Sequence, residues 1–181
     1  MLYKEYTLKN DKNLIVRDAT FNDAIEFADL TNKTHDETEF LTFSSKEMFS
    51  TEETAKEYIS KFVNNDKSCL LVAVCEGRLV GRALIVPKSK HLRMQHRCEL
   101  GIGVLKAYWG QGIAGKLMIE CIEFAKHAGY EQIELIVVAP NERAHELYKS
   151  FGFVDEGEIK NSFKYEDGRY ADAFMMVKFL K

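Results

Sequence analysis

Apolar and polar positions alternate from Tyr3 to Lys9, break at Asn10-Asp11-Lys12-Asn13, and resume at Leu14-Ile15-Val16-Arg17. This predicts a hairpin with a polar turn. The period then changes. Ala24, Ile25, Phe27, Ala28 and Leu30 fall at helical spacing, with Thr20 or Asn22 placed to cap the helix. Thr31 to Ser50 is polar with aromatic interruptions and reads as a loop or short helix. Thr51 caps a second helix running to about Val63, and Glu52 and Glu53 occupy the first turn, where the helix dipole favours acids.

Strands follow in series: Ser68 to Cys75, a turn at Glu76-Gly77-Arg78, Leu79 to Pro87, then His96 to Val104. Ile113, Leu117, Cys121, Ala125 and Ala128 form one helical stripe, widened by Met118 and Ile122 and stopped by Gly129. Ile133 to Val138 is apolar on both faces, as a central strand covered on both sides would be. Asn141 caps a short helix to Ser150, Gly152 ends it, and strands Phe153 to Ile159 and Ala171 to Phe179 close the chain. The order is β-β-α-α-β-β-β-α-β-α-β-β without internal repeat. It predicts an α/β protein of the α+β type, a mixed sheet flanked by helices.

Length and charge narrow the field. The 181 residues fit a single domain, residues 1–181, large enough for a real core. A net charge of −3 argues against nucleic-acid binding by phosphate neutralisation. No apolar run approaches the roughly 18 residues that span a bilayer, and Met-Leu-Tyr-Lys-Glu-Tyr is unlike a signal peptide, so the expectation is a cytoplasmic protein. Cys69, Cys75, Cys98 and Cys121 lack CxxC spacing and read as buried small apolar residues, and the histidines do not converge on acids or cysteines. No metal is expected.

The chemistry concentrates at Gly110-Gln111-Gly112-Ile113-Ala114-Gly115-Lys116, between an apolar strand and a helix start. Such a turn presents backbone N–H groups without intrahelical partners at the positive end of the helix dipole, a site for phosphate. A Walker-type loop is excluded because Leu117 follows Lys116 where a magnesium-binding hydroxyl is needed. The spacing of Gly110, Gly112 and Gly115 matches a dinucleotide fingerprint literally, with Glu131 or Glu134 available as the acid. The loop nevertheless comes too late in the chain for a first βαβ unit.

The order of elements and two local motifs resemble the GCN5-related N-acetyltransferase (GNAT) superfamily. Its pyrophosphate loop, Arg/Gln-x-x-Gly-x-Gly/Ala, corresponds to Trp109 through Ala114. Gly112 and Ala114 match, and Trp109 replaces the usual first residue. The second motif is Asn141-x-x-Ala144-x-x-Leu147-Tyr148-x-x-x-Gly152-Phe153, which sets Asn141, Ala144 and Tyr148 on one helix face. Ile15-Val16-Arg17-Asp18-Ala19 resembles the family's opening strand. The resemblance implies a largely antiparallel central sheet and acetyl-CoA as cosubstrate. Ile102, Gly103 and Val104 would lie along the pantetheine arm, Gly110, Gln111, Gly112, Ile113, Ala114 and Gly115 around the pyrophosphate, and Asn141 against the coenzyme.

Acetyl transfer to an amine needs a neutral amine, donors for the carbonyl oxygen, and a proton for the departing thiolate. The resemblance puts Tyr148 beside the sulfur as general acid and makes the Val104 N–H the donor. A general base is less defined. Glu99 at the strand entry is the candidate, Glu134 lies in the next strand, Ile136 stands where some members carry a glutamate, and a water chain would also serve. The acceptor would be a small amine, a polyamine or a peptide α-amine, framed by the acidic, aromatic stretch Thr34 to Phe49 and by Asn161 to Tyr170. A packed loop with solvated acids is the plainer account of the first stretch. A non-catalytic acetyl-CoA sensor on the same fold stays open as the alternative, as does a homodimer.

Overall fold

The alternating pattern resolves into eight strands in one sheet in the computed structural model, which describes residues 2–43, 47, 49 and 51–180. They are β1 (Tyr3–Thr7), β2 (Asn13–Asp18), β3 (Cys69–Cys75), β4 (Arg78–Pro87), β5 (Arg97–Val104), β6 (Gln132–Val138), β7 (Val154–Lys164) and β8 (Tyr170–Phe179). The helices are α1 (Ala24–Asp36), α2 (Glu52–Ser60), α3 (Ile113–His127) and α4 (Glu142–Ser150). Strand order is β1-β2-β3-β4-β5-β6-β8-β7, and every neighbouring pair is antiparallel except β5 with β6. The predicted mixed, largely antiparallel sheet flanked by helices is the observed one.

Strand β3 shows why there are two cores. Leu71 and Ala73 face one layer and Leu70 and Val72 the other, as the two-residue period of a strand requires. The first layer receives Ile113, Leu117, Met118, Cys121 and Ala125 from α3, with Tyr148 and Phe153 at its far end. The second receives Phe27 and Leu30 from α1 and Ala55 and Ile59 from α2. All four cysteines are buried without disulfides, the role their positions predict. Among the described residues no helix is long and apolar enough to cross a membrane.

Three features differ from the sequence reading. Helix α1 runs to Asp36, into the stretch read as loop or short helix; residues 44–46, 48 and 50 of that stretch lie outside the described ones. Thr34 Oγ1 and His35 Nδ1 both donate to the Thr31 carbonyl, so polar residues satisfy themselves on the helix and continue its buried face. Strand β7 extends to Lys164, past the predicted Ile159. Tyr165 N–H donates to the Arg169 carbonyl and Gly168 supplies φ of +88°, closing a tight turn that pairs Phe163 and Lys164 with Ala171 and Tyr170. Strand β6 is covered on both sides except at one point: Ile133, Leu135 and Val137 are buried on one face and Glu134 and Val138 on the other, but Ile136 between them is 50% exposed.

Leu117 is fully enclosed between α3 and the sheet. Leu117→Ala is expected to lower unfolding free energy by about 2–5 kcal/mol, read by denaturant titration. A loss below about 1 kcal/mol would mean the site collapses around the cavity.

Candidate functional site

Strands β5 and β6 pair in parallel only at Arg97–Gln132, Cys98–Ile133 and Glu99–Glu134. Beyond those residues β5 stays with β4 and β6 with β8, and a gap opens between them. The hydrogen-bond phase of β5 is set at both ends, where Lys88 N–H donates to the Arg97 carbonyl and Leu105 N–H to the Val80 carbonyl. Antiparallel pairing alternates, so the backbone groups of Ile102 and Val104 point away from β4, into the gap. The Val104 carbonyl is met there by Trp109 Nε1 at 2.7 Å. The gap widens into a cleft of about 1150 Å3.

The glycine loop closes one end of this cleft. Gly110 and Gly112 hold φ of +83° and +87°, a region L side chains rarely adopt, and no side chain caps α3. Among the described residues, the N–H groups from Gly110 to Gly115 have no acceptor, whereas Trp109 and Lys116 on either side do. Consecutive unanswered donors at a helix start form an anion cradle. The indole of Trp109 ties the loop to the end of β5, and the Arg143 guanidinium lies 5.1 Å from its ring centroid. This tryptophan thus supplies an anchor where the family pattern has Arg or Gln.

Asn141 caps α4, its Oδ1 accepting from Ala144 N–H at 3.2 Å, which leaves its amide nitrogen unengaged among the described residues. One helical face then brings Ala144, Leu147 and Tyr148 to the cleft wall. Tyr148 is 8% exposed and its ring packs 5.8 Å from that of Phe153. Its hydroxyl bonds to no described residue. Burial pushes its pKa up to about 12, so it holds its proton throughout the neutral range.

Glu99, Ile102, Gly103, Val104, Gly110, Gly112, Ile113, Ala114, Gly115, Asn141 and Tyr148 all line the cleft. Gln111 does not: its side chain donates to the Ala107 carbonyl at 3.3 Å and accepts from Asn10 at 3.1 Å, turning outward to the β1–β2 turn. Glu99 is held by Lys88, which also stands 3.8 Å from Glu134. Glu134 is buried; desolvation would raise its pKa, but hydrogen bonds from Arg97 and Gln132 outweigh it and keep the carboxyl below the usual range. The acids of the loop after α1 are engaged too, Glu37 by Lys106 N–H at 2.6 Å and Glu39 by Arg169 at 3.1 Å. Phe49 packs against Phe27 and Tyr58 in the second core. Glu37 and Glu39 thus belong to a packed loop, whereas Thr34, His35, Phe40, Phe43 and Phe49 of the same stretch line the cleft.

Arg82 escaped sequence reading, and His35 was reached only as a member of the stretch Thr34 to Phe49. His35, an isolated histidine in the sequence, is buried and lines the cleft. Its Nδ1 donates to a carbonyl, which fixes the neutral tautomer and leaves Nε2 as an acceptor. Arg82 on β4 also faces the cleft. No motif marks either one; their meaning comes from burial and from the partners they have or lack.

Residues 31–153 match the sequence model of the acetyltransferase (GNAT) family. An L-amino acid N-acetyltransferase of Escherichia coli (strain K12) is 34% identical over 109 residues, 60% of this chain and 66% of that protein. A spermidine N(1)-acetyltransferase of the same strain is 26% identical over 120 residues, 66% of this chain and 62% of that protein. The chain spans less than two thirds of either relative's own length. An acetyltransferase of the GNAT family from Streptococcus pneumoniae has a solved structure that superposes with a TM-score of 0.87 at 29% identity, covering 92% of this chain and 99% of that one.

Burial holds the His35 imidazole below its ordinary pKa. The unfolded chain takes up that proton near pH 6.5 and the folded chain resists it, so stability is complete above about pH 6.5 and falls as pH drops toward the lowered folded value. His35→Asn, which keeps a donor for the Thr31 carbonyl, is expected to flatten this acid-side fall in denaturant midpoints. An unchanged acid slope in the variant would exclude His35 as its source.

Proposed function

Because this chain belongs to the acetyltransferase (GNAT) family, we propose that it moves an acetyl group from acetyl-CoA to a primary amine, both substrates being bound together. One observation carries the reading. The gap between β5 and β6 runs from unanswered N–H groups of the glycine loop to an unbonded, fully protonated tyrosine hydroxyl. A pyrophosphate suits the first and a thiolate leaving group the second. The proposal takes residues 1–181 as one cytoplasmic acetyltransferase domain.

In this reading the N–H groups from Gly110 to Gly115 hold the pyrophosphate, as helix-start donors hold anions elsewhere. Glycine at 112 keeps the backbone in its left-handed turn and free of a Cβ that would stand between donor and guest. Ile102 and Val104 offer strand-edge groups to the pantetheine arm, and the Asn141 amide nitrogen supplies another donor. Acetyl-CoA brings an acyl group already activated as a thioester. The Val104 N–H donates to the carbonyl oxygen as it gains charge, and Tyr148 gives its proton to the departing sulfur. Two groups on the other side can relieve the amine of its proton: the Glu99 carboxylate, paired with Lys88, and the neutral His35 imidazole. The acceptor is a small amine, a polyamine or a peptide α-amine; relatives named for L-amino acids and for spermidine leave that choice open.

An amine-dependent release of free thiol from acetyl-CoA tests the reading, with calorimetry for binding. Binding without thiol release over a broad amine panel would favour the alternative, a non-catalytic acetyl-CoA sensor. Tyr148→Phe is expected to lower kcat about 100-fold while sparing acetyl-CoA affinity. With its proton retained to about 12, Tyr148 produces no alkaline fall in the wild-type kcat profile below about pH 10. Unchanged turnover in the variant would remove the acid assignment. Gly112→Val forces a β-branched residue into φ near +87° and is expected to weaken acetyl-CoA binding about tenfold or more. Wild-type affinity would contradict the loop's role.

A further inference from the structure

Arg82 carries a charge that its surroundings leave unanswered. Among the described residues its guanidinium makes no hydrogen bond and no ion pair, and Nε is enclosed without a partner. The terminal nitrogens are equally unbonded but are not enclosed; they open into the cleft, which Arg82 lines. The hydroxyl of Thr31, on α1 across the same cleft, is also enclosed and unpartnered. Groups of this kind are rare in folded proteins, because removing a charge from water without compensation opposes folding.

The carboxylates around the cleft do not supply the missing charge. Glu99 is held by Lys88, Glu37 by Lys106 N–H and Glu39 by Arg169, while Glu47 and Glu142 stand exposed at the rim. The nearby ring of Tyr58 offers a weakly acidic phenol, and burial favours the neutral form of His35.

The register shows what lies in front of Arg82. Its cross-strand partner is Gly103, and the next position along pairs Leu84 with Gly101. Cross-strand partners share a face, so Gly103 leaves a bare floor beside the guanidinium, while the Leu84 side chain lies over Gly101 and bounds it. A Cβ placed on Gly103 would find its nearest neighbour, Thr34, only at 3.9 Å. Arg82 therefore stands about 5 Å, one strand spacing, from the strand whose outer edge faces the gap.

We infer that the acceptor itself brings the missing charge: the amine substrate carries a carboxylate, received by the terminal nitrogens of Arg82, with its amino group over the glycine floor. This inference rests on the acetyl-transfer reading and narrows it to a compact amino acid. A polyamine would set a second positive charge against Arg82, and a peptide α-amine carries an amide where the carboxylate belongs. The planar fork of arginine suits a carboxylate, taking both oxygens by charge-assisted hydrogen bonds.

The test uses the full chain, saturating acetyl-CoA, and L-α-amino acids each paired with its carboxamide and its decarboxylated amine, with a polyamine and a short peptide alongside. The expected preference for carboxylate over carboxamide is on the order of 10- to 100-fold in kcat/KM, the range for charge-assisted hydrogen bonds. Arg82→Gln is expected to abolish it by raising the acceptor KM without moving the acetyl-CoA KM, and Arg82→Lys to restore part of it. If Arg82→Gln does not fold, the wild-type comparison of acid with amide still decides. Equal turnover of acid and amide, or a preference for the polyamine, would overturn the carboxylate inference and leave acetyl transfer standing. Bound acetyl-CoA with no thiol release in any arm would remove both.

Discussion

Two parallel strands that part company leave backbone groups with no ladder to join, and the functional half of this molecule is organised around that deficit. Strand β5 remains fixed to β4 over its whole length and β6 remains fixed to β8, so neither can close the gap. A sheet that splits in this way must be held apart by its own outer pairings and by the layers on each face. Helix α3 and the core beneath it hold one side, and α1 with α2 the other. An unpaired strand edge inside a protein normally opposes folding, and here it is the wall of the cleft.

The electrostatics of the cleft follow the same division. At the glycine loop the donors are backbone N–H groups, fixed in direction by left-handed turns and by the Trp109 anchor. At the α1 side the donor is a side chain, a guanidinium without a counter-charge, beside a histidine whose free ring nitrogen accepts. Between them Tyr148 is kept protonated by burial. The cleft thus has a surplus of donors at both ends. That pattern matches a guest with anionic groups at its ends and reacting atoms in the middle.

Local signals carried most of what was legible in the sequence. Turn glycines, caps and the stripe on α3 act over a few residues, and they placed every strand and helix and led to the correct family. Long-range consequences were less readable. Strand β7 outran its prediction because a hairpin closed by Tyr165 and Gly168 extends pairing beyond its apolar residues. The apolar run of β6 gave no hint that Ile136 faces open space, since that depends on where β5 turns away. Gln111 sits inside the loop motif, yet its side chain faces the β1–β2 turn. Arg82 was invisible, and His35 visible only as part of its stretch, for a related reason. An arginine in a strand and a histidine in a helix look ordinary until the absence of a partner, or the identity of one, can be seen.

The hairpin β1–β2 contributes nothing to the cleft lining, yet it carries a duty of its own. It pairs with β3 along Leu14 to Asp18, its Tyr6 hydroxyl donates to Glu120 on α3, and Lys116 lies 4.7 Å from the Tyr6 ring centroid. Beneath it, β3 is an uncharged run, Cys69-Leu70-Leu71-Val72-Ala73-Val74-Cys75, with no proline. Were the hairpin trimmed away, that run would become a bare sheet border, ready to zip onto the same border of another molecule. The first strands are therefore a guard rail against self-association, and shortening the chain at this end would bare an edge that pairs with copies of itself.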